Sequence, residues 1–213
     1  RYGTLGSAGT QNAGLVFGGE DPGAANKAQT EEWNGTSWTE VNDLNTARER
    51  LGGSGNYTSA LAFGGQTPTV SALTETWNGT SWTEVSDLNT GRNEIAGHGI
   101  VTSALAYGGN LPGVTGVTES WNGTSWTETT DLNTARRTLA GSGTDNTIGL
   151  AFGGGTPSNT GATELWNGSS WTEDTDLSTA RNALASSNGV GSTSALASGG
   201  TTGTITGATE EWT

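Results

Sequence analysis

The chain contains no cysteine, no methionine and a single histidine, His98. Without thiols there is no disulfide, no thiolate metal centre and no cysteine nucleophile. A lone histidine cannot assemble the multi-ligand shell of a zinc site, and no Ser-His-Asp arrangement can be read around it. It is expected as a hydrogen-bonded or solvated side chain, with general-base chemistry as the sharper alternative. Lysine is almost missing as well: Lys27 is the only one among 8 basic residues, against 21 acidic ones, for a formal charge of −13. Such a surface repels a phosphate backbone and an anionic membrane, so no nucleic-acid partner is expected. Divalent cations are compatible with the charge. Yet no dense Asp-x-Asp-x-Asp-Gly loop is present to build a calcium shell, and neither a metal nor a cofactor is expected. No run reaches the ~18 apolar residues of a membrane helix, and the first residues carry no signal-peptide pattern, so membrane insertion is not expected.

Glycine is plentiful, at 36 of 213 residues, and so is tryptophan, at 9. Thr, Ser and Asn fill much of the remainder. This composition suits short strands joined by tight turns, with indole rings of about 150–250 Å² each supplying much of the core.

Internal repetition is the strongest signal. Gly-Gly pairs begin at Gly18, Gly64, Gly108, Gly153 and Gly199, and each is followed by Thr-Glu-x-Trp ending at Trp33, Trp77, Trp121, Trp166 and Trp212. The spacing is 44 to 46 residues, the length of a four-stranded propeller blade. In one unit, Leu51–Gly55 reads as strand a, Ser59–Phe63 as strand b, Leu73–Trp77 as strand c and Ser81–Val85 as strand d. Asn78-Gly79 marks the c–d turn, since that pair accepts positive φ. An even-length hairpin loop then puts Trp77 and Trp82 on one face, suited to a layer between blades. The chain reads as one all-β domain over 1–213, with repeats at about 1–46, 47–90, 91–134, 135–179 and 180–213. Five a, b and c strands can be counted but four d strands. The expectation is a closed five-bladed propeller whose last blade lacks its outer strand, with Leu5–Gly9 beside blade 5.

Gly64-Gly65, Trp77, Trp82 and Arg92 follow one another in the order of the kelch pattern, and the whole chain resembles a kelch-type repeat protein. It departs in having Trp where strand c of that family carries Tyr, and in the short step to the second Trp. The Trp-Asn-Gly-Thr-Ser-Trp arrays also resemble those of marine phage and bacterial surface proteins. The resemblance implies the propeller fold and an extracellular or virion-surface location. It says little of function, because propellers host many. The copper-radical oxidases that share the kelch fold need a cysteine-modified tyrosine and histidine ligands, which this chain cannot supply.

Two columns recur in every unit. Arg48, Arg92, Arg136 and Arg181, with Arg1 as a fifth candidate, stand before strand a. Glu31, Glu75, Glu119, Glu164 and Glu210 stand in strand c. A guanidinium binds carboxylates and carbonyls as a fork, so a structural ion pair in each blade is expected, with a ligand-binding ring as the alternative. The column of Trp33, Trp77, Trp121, Trp166 and Trp212 is read as structural too. Asp43, Asp87, Asp131 and Asp176 are expected to bond backbone amides around the d–a loop. Asn34, Asn78, Asn122, Asn167 and Asn56 open glycosylation sequons, for which turn chemistry is the competing explanation.

The b–c loops differ most between repeats. On a rigid scaffold loops carry function, so Glu20, Asp21, Lys27, Gln66, Thr67, Asn110, Leu111, Ser158 and Asn159 are the candidate binding residues. The expected function is non-enzymatic recognition of a glycan or protein on a phage fibre or cell surface. The alternative is a structural, glycosylated filament unit that self-associates by strand addition at the open fifth blade. No catalytic residue is assigned.

Overall fold

The computed structural model describes residues 5–187 and 194–212, so the Arg1 candidate lies outside the described residues. Five antiparallel sheets stand in a ring, forming a five-bladed β-propeller. In chain order the strands of blade 1 are Gly6–Thr10, Ala13–Phe17, Thr30–Trp33 and Trp38–Val41, here a to d. Blade 2 has Gly52–Asn56, Ser59–Phe63, Thr74–Trp77 and Trp82–Glu84. Blade 3 has Ala96–Ile100, Ser103–Tyr107, Thr118–Trp121 and Trp126–Thr129. Blade 4 has Ala140–Asp145, Ile148–Phe152, Thr163–Trp166 and Trp171–Glu173. Blade 5 has three strands, Ala185–Ser186, Leu196–Ser198 and Thr209–Glu211, as its repeat implied. Each a strand lies innermost, and residues at the start of all five line a central channel of about 250 Å³.

Strand b is apolar without alternation because both of its faces are covered by neighbouring blades. Ala60, Leu61, Ala62 and Phe63 are all fully buried. In the c–d hairpin Trp77 stands directly opposite Trp82, with ring centroids 5.4 Å apart. That pairing leaves a four-residue loop rather than a two-residue primed turn. Gly79 alone takes the positive φ, at 91°, while Asn78 Oδ1 accepts the amides of Thr80 and Ser81 at 2.9 Å.

The indoles form the joints between blades. Trp82 packs edge-on against Phe17 of the blade before it, Trp126 against Phe63 and Trp171 against Tyr107, with centroids at 4.8, 5.3 and 5.0 Å. Each of these indoles also donates Nε1–H to a threonine hydroxyl of that preceding blade: Thr30, Thr74 and Thr118. The same aromatic rings lie over a residue of the next strand a that must be glycine. A Cβ on Gly53 would come within 2.8 Å of Phe17, and one on Gly97 within 2.5 Å of Phe63. The Gly-Gly pairs are joints as well. Gly64 and Gly65 sit at φ 65° and 100°, and Gly65 N–H donates to Arg92 O of the next blade at 2.9 Å. A side chain there would need both a strained backbone and space held by that carbonyl.

Candidate functional site

The Arg and Glu columns meet inside blades 2 to 5. Arg48 is fully buried and donates Nη2 to Glu75 Oε1 at 3.1 Å, with further bonds to the carbonyls of Ala62 and Gly64. Arg92 Nη1 lies 3.1 Å from Glu119 Oε1, and Arg136 and Arg181 pair in the same way with Glu164 and Glu210. Burial pulls the Arg48 and Arg92 guanidinia below their usual range, and the facing carboxylates pull them back. The other oxygen of each glutamate accepts from the linker that enters the blade: Glu119 Oε2 takes Asn89 N and Nδ2 at 2.7 and 2.9 Å. Each of these four glutamates is used at both oxygens and each arginine is fully buried beside it, out of reach of a ligand, so these columns act as clamps rather than as a binding ring.

The Asp column closes the other half of the clamp. Asp43, Asp87, Asp131 and Asp176 each accept the amide 13 residues earlier, at Thr30, Thr74, Thr118 and Thr163. Asp-Leu-Asn thus holds the blade it leaves through Asp and the blade it enters through Asn, with Leu buried between them.

All nine candidate binding residues stand in the b–c loops, which open on the face opposite the a–b and c–d turns. The loops of blades 2 and 3 form small ribbons of their own, pairing Gln66 with Val70 and Asn110 with Val114. Several candidates spend their polar groups on the scaffold. Lys27 Nζ sits 2.7 Å from Asp21 Oδ2, and Asp21 Oδ1 accepts the amides of Gly23 and Ala25. The Lys27 ammonium, with the Ala25 amide second, holds the Asp21 carboxyl at about 2. Gln66 Oε1 accepts from Asn93 Nδ2 at 2.6 Å, and Asn159 Nδ2 donates to Thr201 O of the next loop at 2.8 Å. Thr67, Asn110, Leu111 and Ser158 are partly or fully exposed on the same face, as is Glu20.

Sequence reasoning missed a second set of residues on this face. The two positions after each column arginine are Glu49-Arg50, Asn93-Glu94, Arg137-Thr138 and Asn182-Ala183. The first of each pair bridges to a b–c loop, at Gln66, Asn110, Gly155 and Thr201. The second forms a hoop around the channel mouth: Glu94 N donates to Arg50 O, Thr138 N to Glu94 O and Ala183 N to Thr138 O, at 2.9–3.0 Å. All four hoop residues are left-handed, with φ between 49° and 55°. Glu94 is held by two arginines, Arg50 at 3.2 Å and Arg137 at 3.0 Å. Glu49 is buried beside Glu20, and burial first, then that carboxyl, push its pKa up. The available signal was that these positions change between otherwise similar repeats.

His98 is buried rather than solvated. Its Nδ1 shares a hydrogen bond of 3.0 Å with the Tyr107 hydroxyl, and burial holds its pKa down to about 4. Blade 4 makes room for it: a Cβ on Gly149, where blades 2 and 3 carry Ala60 and Ala104, would lie 2.0 Å from His98 Cε1. The five sequon asparagines are exposed on the a–b and c–d turns. In each, Oδ1 accepts the amide two residues on, at 2.9–3.0 Å.

No family model and no curated protein matches this chain. Among the described residues no cluster of His, Asp and Glu is arranged to hold a metal, and no helix is long and apolar enough to cross a membrane.

Proposed function

We propose that this propeller is a kelch-type, non-enzymatic recognition module that engages a glycan or a protein through its b–c face. One observation carries this reading. Glu20, Asp21, Lys27, Arg50, Glu94 and Arg137, charged side chains that do not recur from repeat to repeat, all stand on that face. Of the basic side chains described, the four column arginines are buried, and the other three, Lys27, Arg50 and Arg137, are here. The loops are tied to one another by Asn26, Gln66, Asn93 and Asn159, so the face is preorganised, which lowers the entropy cost of binding. Strain in a left-handed threonine and its neighbours at the channel mouth is of the kind found at functional sites. Kelch identity and display on a cell or virion surface rest on the sequence resemblance.

Glycan and protein arrays probed with the purified chain test the reading. Saturable binding is expected for at least one ligand whose capture Arg50→Ser/Arg137→Ser abolishes, with little change in melting temperature. Arrays that hold no ligand sensitive to the double variant refute it.

A second reading has its own observation: the outer edge of Thr209–Glu211 pairs with no strand among the described residues. A neighbouring chain could add a strand there and build filaments, glycosylated at the exposed sequons. Light scattering that stays monomeric at high concentration, with an intact mass equal to the polypeptide, removes it.

A further inference from the structure

The five joints between blades are built from similar repeats, yet one of them is open. Where blades 1 to 3 meet the blade that follows, an aromatic ring of strand b is covered by an indole of the next strand d. At the fourth joint Trp212 stacks on Phe152, with centroids 5.0 Å apart. At the fifth joint blade 5 should offer a ring to Trp38 of blade 1. Ser198 stands in that place, so the ring itself is missing; Ser7 stands where joints 1 to 3 have glycine, as Ser186 does at the fourth joint, where Phe152 is still covered. Trp38 is consequently 50% exposed, against 5% for Trp82, Trp126 and Trp171. A cleft of about 710 Å³ opens between the two blades, lined by Trp38, by Thr10, Gln11 and Asn12 near the a–b turn, and by Ser186 and Ser187 of blade 5.

We propose that this cleft binds a neutral oligosaccharide, with one sugar ring stacked on Trp38. The chemistry of the walls selects that ligand. A flat indole offers an apolar face to the C–H side of a pyranose, and its Nε1–H is a donor at the edge of that face. In blades 2 to 4 the equivalent N–H is taken by a threonine hydroxyl of the preceding blade. Beside the apolar Leu15 and Val16, the hydroxyls and amides of Thr10, Gln11, Asn12, Ser186 and Ser187 line the walls, matched to sugar hydroxyls that both give and accept hydrogen bonds. Among the described residues no charged side chain lines the cleft, so an ionic ligand would lose hydration with no counter-charge from them to replace it. The volume falls within the usual range of about 300–1,000 Å³ for ligand sites. A second copy of the chain is a poorer occupant. Its strand b rings, Phe17, Phe63, Tyr107 and Phe152, are each already covered by an indole.

The site stands apart from the b–c face, and either can fail alone. The experiment is calorimetric titration of the chain with cellohexaose, laminarihexaose, mannohexaose and chitohexaose, beside hexagalacturonate and chitosan hexamer as charged controls. At least one neutral hexamer is expected to bind. Trp38→Ala should weaken it by about tenfold or more, Gln11→Ala should weaken it less, and Trp38→Phe should retain most of it. Melting temperatures should be nearly unchanged, because Trp38 makes little of the core, and Arg50→Ser/Arg137→Ser should bind normally. The proposal is overturned if no neutral hexamer binds at about 10 mM, if a charged hexamer is preferred, or if Trp38→Ala and Gln11→Ala leave binding intact. It is equally overturned if light scattering shows a dimer that Trp38→Ala dissolves.

Discussion

Replacing Glu119 with alanine isolates what the Arg–Glu clamp contributes. Both partners are fully buried, with Arg92 Nη1 3.1 Å from Glu119 Oε1. Removing the carboxylate strands a guanidinium in the protein interior, which costs about 3–5 kcal/mol. Asn89 N, Asn89 Nδ2 and Thr90 N lose their acceptor too. These lie nearer water, so they add about 1 kcal/mol between them. The sum is about 4–6 kcal/mol, or a fall in melting temperature of about 8–24 °C for a domain of this size. Glu210→Ala in blade 5 should cost at most about half as much, because Glu210 is 24% exposed and solvent can reach the site it leaves. Urea titration followed by tryptophan fluorescence is the assay, since the indoles sit at the blade joints and urea does not screen charge. The apolar pair Arg92→Met/Glu119→Leu should recover most of the loss, because it strands no charge. If Glu119→Ala costs under about 1 kcal/mol, or if the apolar pair is no more stable than the single variant, the stranded-charge argument is wrong.

Three further outcomes are expected. Burial holds the His98 pKa at about 4 in the folded chain, below the usual 6.5, so the unfolded chain binds the proton more readily. Stability from this site is complete above pH 6.5 and is lost as pH falls toward 4, by up to about 3 kcal/mol; urea midpoints of wild type and His98→Ser should diverge in slope over that window. Gly149→Ala should destabilise by about 1–3 kcal/mol through its clash with His98 and become nearly neutral in a His98→Ser background, a coupling that a double-mutant cycle measures. Trp82→Ala should cost about 3–5 kcal/mol, whereas Trp38→Ala, at the open joint, should cost a small fraction of that in the same urea assay.

The repeat architecture was legible because each blade solves the same packing problem with the same residues. Gly-Gly, Thr-Glu-x-Trp and Asp-Leu-Asn recur because the joints they make recur, and even the three-stranded last blade follows from the count. The Asn-Gly turn was legible in kind but not in detail: pairing Trp77 with Trp82 demands a longer loop, in which Asn works through its side chain. The placement of His98 was less legible. Nothing local says that Gly149 and Tyr107, distant in the chain, would together enclose it. The hoop of Arg50, Glu94, Thr138 and Ala183 was equally hidden, because its bonds join residues about one repeat apart and its backbone conformation favours none of these side chains.

The sequence by itself determined the fold, the blade count and the buried clamps, since periodic chemistry can satisfy its own joints only by stacking repeat on repeat. Only the tertiary structure decided which side chains share a surface. Ring closure sets Trp38 of the first repeat across a cleft from Ser186 and Ser187 of the last, and gathers Lys27, Arg50 and Arg137 onto one face. Separation along the chain carries no information about these proximities.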